Sequence, residues 1–292
     1  MYADLSDVRC YYELLGGAGD PVMLIAGLGA THELWDCVAG ELSHSFSLVL
    51  HDNRGIGRSE FKRPPLGLED FAVDIVELMD HLQLARAHVI GLSLGGIIAQ
   101  QLAVDHPGRV DRLVLVSCAD RFGPYLREIA KLLGQALRHF PPELYRRTME
   151  LLGTAPQYFD DHVDEIERKI AENVQLGISR RAVARQLRCL ARSDVVGNQQ
   201  REYCIKAPTL VVAGDRDMLI PGCYAQKMAE AISNSEFLLI RECGHNPFVE
   251  KPEVIVPRVI EFLSRSREDD ERRRRGARRS GNGAQLVMEE AV

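Results

Sequence analysis

An α/β fold, built as a doubly wound and mostly parallel sheet with an all-helical insertion, is what this 292-residue sequence predicts. Three observations predict it. Short apolar runs rich in β-branched residues recur at intervals of helix length, the pattern of parallel strands joined by crossover helices. Between residues 120 and 200 no such run appears, and apolar residues keep helical spacing. Finally, Gly91-Leu92-Ser93-Leu94-Gly95 stands where one apolar run passes into a helical pattern.

The elements follow in order. Val8 to Leu15 reads as an N-terminal strand, and Val22 to Ala26, Ser47 to Leu50, Ala87 to Leu92 and Arg112 to Val116 continue the sheet. Glu69 to Leu82 places Phe71, Ile75, Leu78, Met79 and Leu82 on one helical face. Leu94 to Asp105 is a second helix, stopped by His106-Pro107-Gly108. Pro141-Pro142 and the stretch Gly153 to Pro156 divide the insertion into three or four helices, after which Thr209 to Ala213 and Glu236 to Ile240 resume the sheet. The domain reading is a core of residues 1–119 and 201–264, a helical cap of residues 120–200, and a disordered charged tail of residues 265–292. An insertion between two strands lies over their carboxyl ends, where open α/β sheets bind ligands.

Composition narrows the function. The sequence is 46% hydrophobic and 27% charged, and no apolar run approaches the roughly 20 residues needed to cross a bilayer. The formal net charge is −6, and the tail holds eight Arg against six Asp and Glu, so the body is more acidic still. A body of that sign argues against nucleic acid as a partner. Met1-Tyr-Ala-Asp-Leu-Ser-Asp lacks the charged start and apolar core of a signal peptide, which predicts a cytoplasmic protein. Cys10, Cys37, Cys118, Cys189, Cys204, Cys223 and Cys243 form no CxxC pair, so reduced and mostly buried thiols are expected, with neither a disulfide framework nor a zinc site.

The chemistry centres on Ser93. A turn from strand to helix this tight needs small neighbours, supplied by Gly91 and Gly95, and it lifts the serine hydroxyl above the sheet. A serine needs a general base, and the base needs a carboxylate to fix its tautomer. His245, in Cys243-Gly244-His245-Asn246-Pro247, follows the last strand and is the best base among nine histidines. Asp217, in the loop after Thr209 to Ala213, is the expected acid. Asp215, two residues earlier, and Asp120, at the end of another strand, are its rivals and rank below it. Alone, a capping histidine or a turn aspartate would be unremarkable; three complementary groups on three strand ends are harder to ascribe to chance. The backbone N–H groups of Leu94 and of Leu28, in Ala26-Gly27-Leu28-Gly29-Ala30, are the candidate oxyanion donors.

Gly27-Leu28-Gly29 with Trp35, the stretch His51-Asp52-Asn53-Arg54-Gly55-Ile56-Gly57-Arg58-Ser59, the Ser93 motif and the Asp217 and His245 loops are together similar to the α/β-hydrolase superfamily, in its enol-lactonase and small-esterase branch, over about residues 8 to 264. The resemblance implies a serine hydrolase with a helical cap and no cofactor or metal, whose Asp52 and Arg54 brace the site. Relatives usually carry His where Ala26 stands, which bears on loop packing. The expected substrate is a small-molecule ester, lactone or acyl thioester, free or carrier-bound. A biosynthetic thioesterase and a carbon–carbon bond hydrolase or lyase use the same triad and stay open. A slow-turnover ligand-binding or receptor protein is the alternative of another class. For substrate contacts in the cap, Phe122, Tyr125, Phe140, Tyr145, Tyr158 and Phe159 are apolar candidates, although helix packing is the preferred role for most of them, and Arg180, Arg181, Arg185 and Arg188 are candidates for a carboxylate, with a solvated helix face the preferred reading. The sequence does not specify the oligomeric state.

Overall fold

Parallel strands cannot be joined by tight turns, so each β-rich run must be followed by a crossover, and the helical stretches supply them. The computed structural model describes residues 1–17, 19–177, 179–192, 205–266 and 285–286. The chain opens with β1 (Tyr2–Asp4), β2 (Val8–Leu15) and β3 (Pro21–Ile25), followed by a 3₁₀ turn (His32–Trp35) and α1 (Asp36–Leu42). Next come β4 (Ser47–His51), the two-residue β5 (Glu60–Phe61), α2 (Glu69–His81), β6 (Ala87–Leu92), α3 (Leu94–Asp105) and β7 (Val110–Val116). Helices α4 (Pro124–His139), α5 (Pro142–Gly153), α6 (Pro156–Asp161), α7 (Val163–Gln175) and α8 (Arg180–Arg192) fill the described part of the insertion. The core resumes with β8 (Thr209–Gly214), α9 (Gly222–Ala231), β9 (Ser235–Ile240), α10 (Pro247–Glu250) and α11 (Pro252–Leu263), and β10 (Gln285–Leu286) is the last strand.

The sheet runs β1-β2-β4-β3-β6-β7-β8-β9-β10, with β5 paired to β2. Every pairing from β4 through β10 is parallel, whereas β2 is antiparallel to β1, β4 and β5. From β3 the chain moves first to β4 on one side and then to β6 on the other. That reversal opens a crevice between the carboxyl ends of β3 and β6, the place where such sheets bind ligands.

Both faces of the sheet are covered, and the strands show it by alternation. Met23 and Ile25 of β3, Val89 of β6, Leu113 and Leu115 of β7 and Val211 and Ala213 of β8 join a core that includes α2 and α3. Their neighbours Val22, Leu24, Ile90, Val114, Val116, Leu210 and Val212 face a second core built with α1 and α11. Each strand is thus apolar on two faces, which is why it reads as a continuous run.

The tail departs from its expected disorder in two places. Arg265 is only 7% exposed in its side chain and bridges Glu236 and Glu261, the latter at 2.8 Å, while Arg112 donates to its carbonyl at 2.6 Å. Gln285–Leu286 pairs in parallel with Glu236 and Phe237 of β9. Composition averages over a segment and is blind to individual ion pairs and edge pairing. Most of the remaining tail, like residues 193–204 at the end of the insertion, lies outside the described residues. Among the described residues no helix is long and apolar enough to cross a membrane.

Candidate active site

Ser93 is held by backbone geometry that few residues adopt. Its φ of 57° and ψ of −117° lie in a strained region, and its N–H donates to Val116 of β7 at 2.8 Å. The turn tolerates no side chain at Gly91 or Gly95. A Cβ on Gly91 would sit 2.3 Å from the Gly95 carbonyl, and one on Gly95 would sit 2.0 Å from the Ile25 carbonyl. The serine therefore stands at the mouth of the β3–β6 crevice, and its own carbonyl accepts Ile97 N–H at 3.2 Å as the first bond of α3.

His245 and Asp217 meet directly. His245 Nδ1 lies 2.6 Å from Asp217 Oδ2. Since a carboxylate only accepts, Nδ1 carries the proton and Nε2 presents a lone pair. Asp217 is itself fixed, its other oxygen accepting the N–H groups of Leu219 at 2.9 Å and Ile220 at 3.0 Å. Burial alone would push the imidazole down, but the charge and hydrogen bond of Asp217 together outweigh it and leave His245 above its ordinary value. The two rival acids lie elsewhere: Asp215 accepts from Cys243 N–H at 3.4 Å, and Asp120 is paired with Arg121 at 3.1 Å.

The histidine loop is clasped to the insertion. His245 N–H donates to Gly153 O at 2.5 Å, and Glu250 Oε2 accepts both Gly244 N–H at 2.8 Å and Ala155 N–H at 3.0 Å. Nothing in the sequence around Glu250 or Gly153 signals this role, because the two loops meet only in the tertiary fold.

Leu28 occupies the loop that follows β3. A Cβ on Gly27 would lie 3.4 Å from Ser93 Cβ, so this loop runs alongside the serine. Neither the Leu28 nor the Leu94 amide donates a hydrogen bond among the described residues, and Leu94 is the first residue of α3, where orphan N–H groups are expected. The stretch after β4 braces this loop with Asp52 and Asn53: Asp52 Oδ1 accepts from His32 N and Nδ1, each at 2.8 Å, and Asn53 Nδ2 donates to Ala26 O at 3.0 Å. Arg54, expected to brace the site as well, turns away and forms a buried bidentate pair with Asp74 of α2 at 2.6 Å.

Ser93 and His245 open onto one cavity of about 810 Å³, bounded by the sheet's loops and by helices of the insertion. From α4 and α8, which pack together, the lining takes the apolar Leu126, Ile129, Leu133, Leu187 and Leu190; from α5 and α7 it takes Arg146, Glu150 and Lys169 among its polar groups. Of the six aromatic candidates only Phe122 and Tyr158 line it. Tyr125 stacks on Tyr224, Tyr145 is buried in packing, and Phe140 is exposed. None of the four predicted arginines reaches it. Arg180 binds the Leu137 and Phe140 carbonyls and Arg185 lies over the Phe61 ring. Six cysteines are described and all are free, four of them buried; Cys204 lies outside the described residues. Among the described residues no group of three or more His, Cys, Asp or Glu side chains is placed to hold a metal ion.

This strand order, with a serine on a strained strand-to-helix turn and a His–Asp pair on later loops, defines a hydrolase class. The family model of the alpha/beta hydrolase fold matches residues 20–252, and the chain belongs to that family. It is 31% identical over 257 residues to a putative carbamate hydrolase RutD from Caulobacter vibrioides, covering 87% of this chain and 94% of that protein. It is 27% identical over 260 residues to 3-oxoadipate enol-lactonase 2 from Acinetobacter baylyi, covering 89% and 94%. Among solved structures, a hydrolase from Pseudomonas aeruginosa superposes with a TM-score of 0.81 at 27% identity, over 91% of this chain and 98% of that one. The enol-lactonase from Burkholderia xenovorans shares the fold with a TM-score of 0.81 at 24% identity, over 91% and 100%.

Proposed function

We propose that the chain is a serine hydrolase that cleaves a carboxylic ester, lactone or thioester of a small organic substrate through Ser93, His245 and Asp217. The observation that carries the reading is the 2.6 Å contact between His245 Nδ1 and Asp217, on the wall of the cavity that Ser93 enters. In this reading His245 Nε2 takes the Ser93 proton as Oγ attacks the carbonyl carbon. The Leu28 and Leu94 amides hold the oxyanion, and the imidazolium returns the proton to the leaving group. Water, deprotonated by the same histidine, then hydrolyses the acyl-enzyme and restores the serine.

Because Leu126, Ile129, Leu133, Leu187 and Leu190 form an apolar wall, the acyl part of the substrate is expected to be apolar. The relatives carry names for two different bonds, a carbamate and an enol-lactone, and each of these bonds contains a carbonyl carbon that a serine hydroxyl can attack. A panel of p-nitrophenyl esters, lactones, acyl thioesters and an alkyl carbamate tests the bond. Release of product that is lost in Ser93→Ala supports the reading; no turnover of any panel member overturns it and favours a binding protein.

A further inference from the structure

The insertion reaches into the oxyanion loop through a single buried amide. Gln186 of α8 is 1% exposed, and its Oε1 accepts the N–H of Gly29 at 2.8 Å across 157 residues of sequence. The backbone N–H can only donate, so the orientation of the Gln186 amide is settled by chemistry. Among the described residues its Nε2 has no partner, so the bond to Gly29 is the one hydrogen bond of the side chain there. One turn earlier on the same helix, Val183 packs so closely that a Cβ on Gly29 would lie 2.9 Å from Val183 Cγ2, and Gly29 itself has a φ of +64°. Helix α8 is therefore seated on the loop at two points, by shape through Val183 and by a hydrogen bond through Gln186.

Asp52 and Asn53 brace the loop at its ends, at His32 and Ala26, and leave the Gly27–Gly29 stretch between them to other contacts. Gly27 C=O and Leu28 N–H belong to one planar peptide unit, and among the described residues the one bond on that unit is Ala30 N–H to Gly27 O, at a long 3.3 Å. The next unit, Leu28–Gly29, is the one that Gln186 holds. Building on the serine-hydrolase reading above, we propose that Gln186 is a positioning residue: it aims the Leu28 amide at the developing oxyanion. The insertion is then part of the catalytic apparatus as well as the wall of the substrate cavity. Displacing a donor by about an ångström costs up to about a hundredfold in rate, whereas ground-state binding of the acyl chain by the apolar wall is untouched. The effect belongs in kcat and not in KM.

The test uses the full chain with a p-nitrophenyl ester and with phenylboronic acid, which forms a tetrahedral adduct on a nucleophilic serine. Gln186→Met keeps the volume and removes the acceptor; Gln186→Glu keeps an acceptor. The expected result is that Gln186→Met lowers kcat by about tenfold to a hundredfold, with KM within about twofold, and weakens the boronate in step with kcat/KM. Gln186→Glu is expected to recover most of the loss. If Gln186→Met does not fold, Gln186→Asn, one methylene too short to reach Gly29, reads the same quantity. Unchanged kcat and boronate affinity in a folded variant would overturn the inference. So would a loss that Gln186→Glu shares in full, which marks packing alone. A parent chain with neither turnover nor boronate binding overturns the serine-hydrolase reading, and the role of Gln186 with it.

Discussion

Replacing Asp217 by Asn changes one hydrogen-bond direction and little else. In the parent, one carboxylate oxygen accepts Leu219 and Ile220 N–H at 2.9 and 3.0 Å, and the other accepts His245 Nδ1–H at 2.6 Å. An asparagine keeping the two backbone bonds must place its carbonyl there and turn its NH₂ toward His245. Nδ1 then becomes the acceptor, and the ring proton moves to Nε2, the nitrogen that accepts from Ser93 in the proposed mechanism. Loss of the correct tautomer in a serine triad lowers kcat about 10⁴-fold, or about 5 kcal/mol of transition-state stabilisation. Stopped-flow measurement of the acylation burst with p-nitrophenyl acetate reads this directly. The melting temperature should stay within a few degrees, since both backbone donors keep their acceptor. An Asp217→Asn variant acylating within tenfold of the parent would refute the assignment.

Three further outcomes are expected. His245 must be neutral to act as a base, and Asp217 holds its pKa above the ordinary 6.5, so the acid limb of kcat/KM should have its midpoint above pH 6.5; a midpoint below that value in a pH–rate profile contradicts the charge assignment. Gly95→Ala drives a Cβ to 2.0 Å from the Ile25 carbonyl and should cost about 3 kcal/mol or more, seen as a lowered urea midpoint, while Gly108→Ala, with open space around it, should change stability by less than about 0.5 kcal/mol. Arg54→Met leaves Asp74 buried without its partner, although burial already pushes that carboxyl up to about 6 with Arg54 in place; a loss of about 3 to 5 kcal/mol is expected by denaturant titration.

What the sequence made legible was whatever depends on local pattern. Strands β6 and β8 and helix α3 could be read because a doubly covered strand is apolar at every position and because the Gly91 and Gly95 pair marks a turn that admits nothing larger. The pairing of Asp217 with His245 was legible because order along the chain and position after a strand constrain both. Illegible were contacts that join distant segments without leaving a local trace. Gln186 looks like any polar residue on a helix, and its burial arises only when α8 lies down on Gly29. Glu250 likewise gains its role from Ala155 and Gly244. The candidate arginines of α8 stay off the cavity for a related reason: helical spacing shows which residues share a face, but not whether that face turns to the cavity, to Phe61 or to a helix end. The face that turns inward on α5 carries Arg146, Met149, Glu150 and Gly153 instead.

In the proposed mechanism Ser93 is a nucleophile made reactive by its surroundings. Incubating the full chain with a fluorophosphonate and mapping the adduct by peptide mass spectrometry tests it most directly. A single stoichiometric adduct on Ser93 is expected, abolished in Ser93→Ala and strongly slowed in His245→Gln. Absence of an adduct on Ser93 in folded protein, or equal labelling with His245 removed, would contradict it.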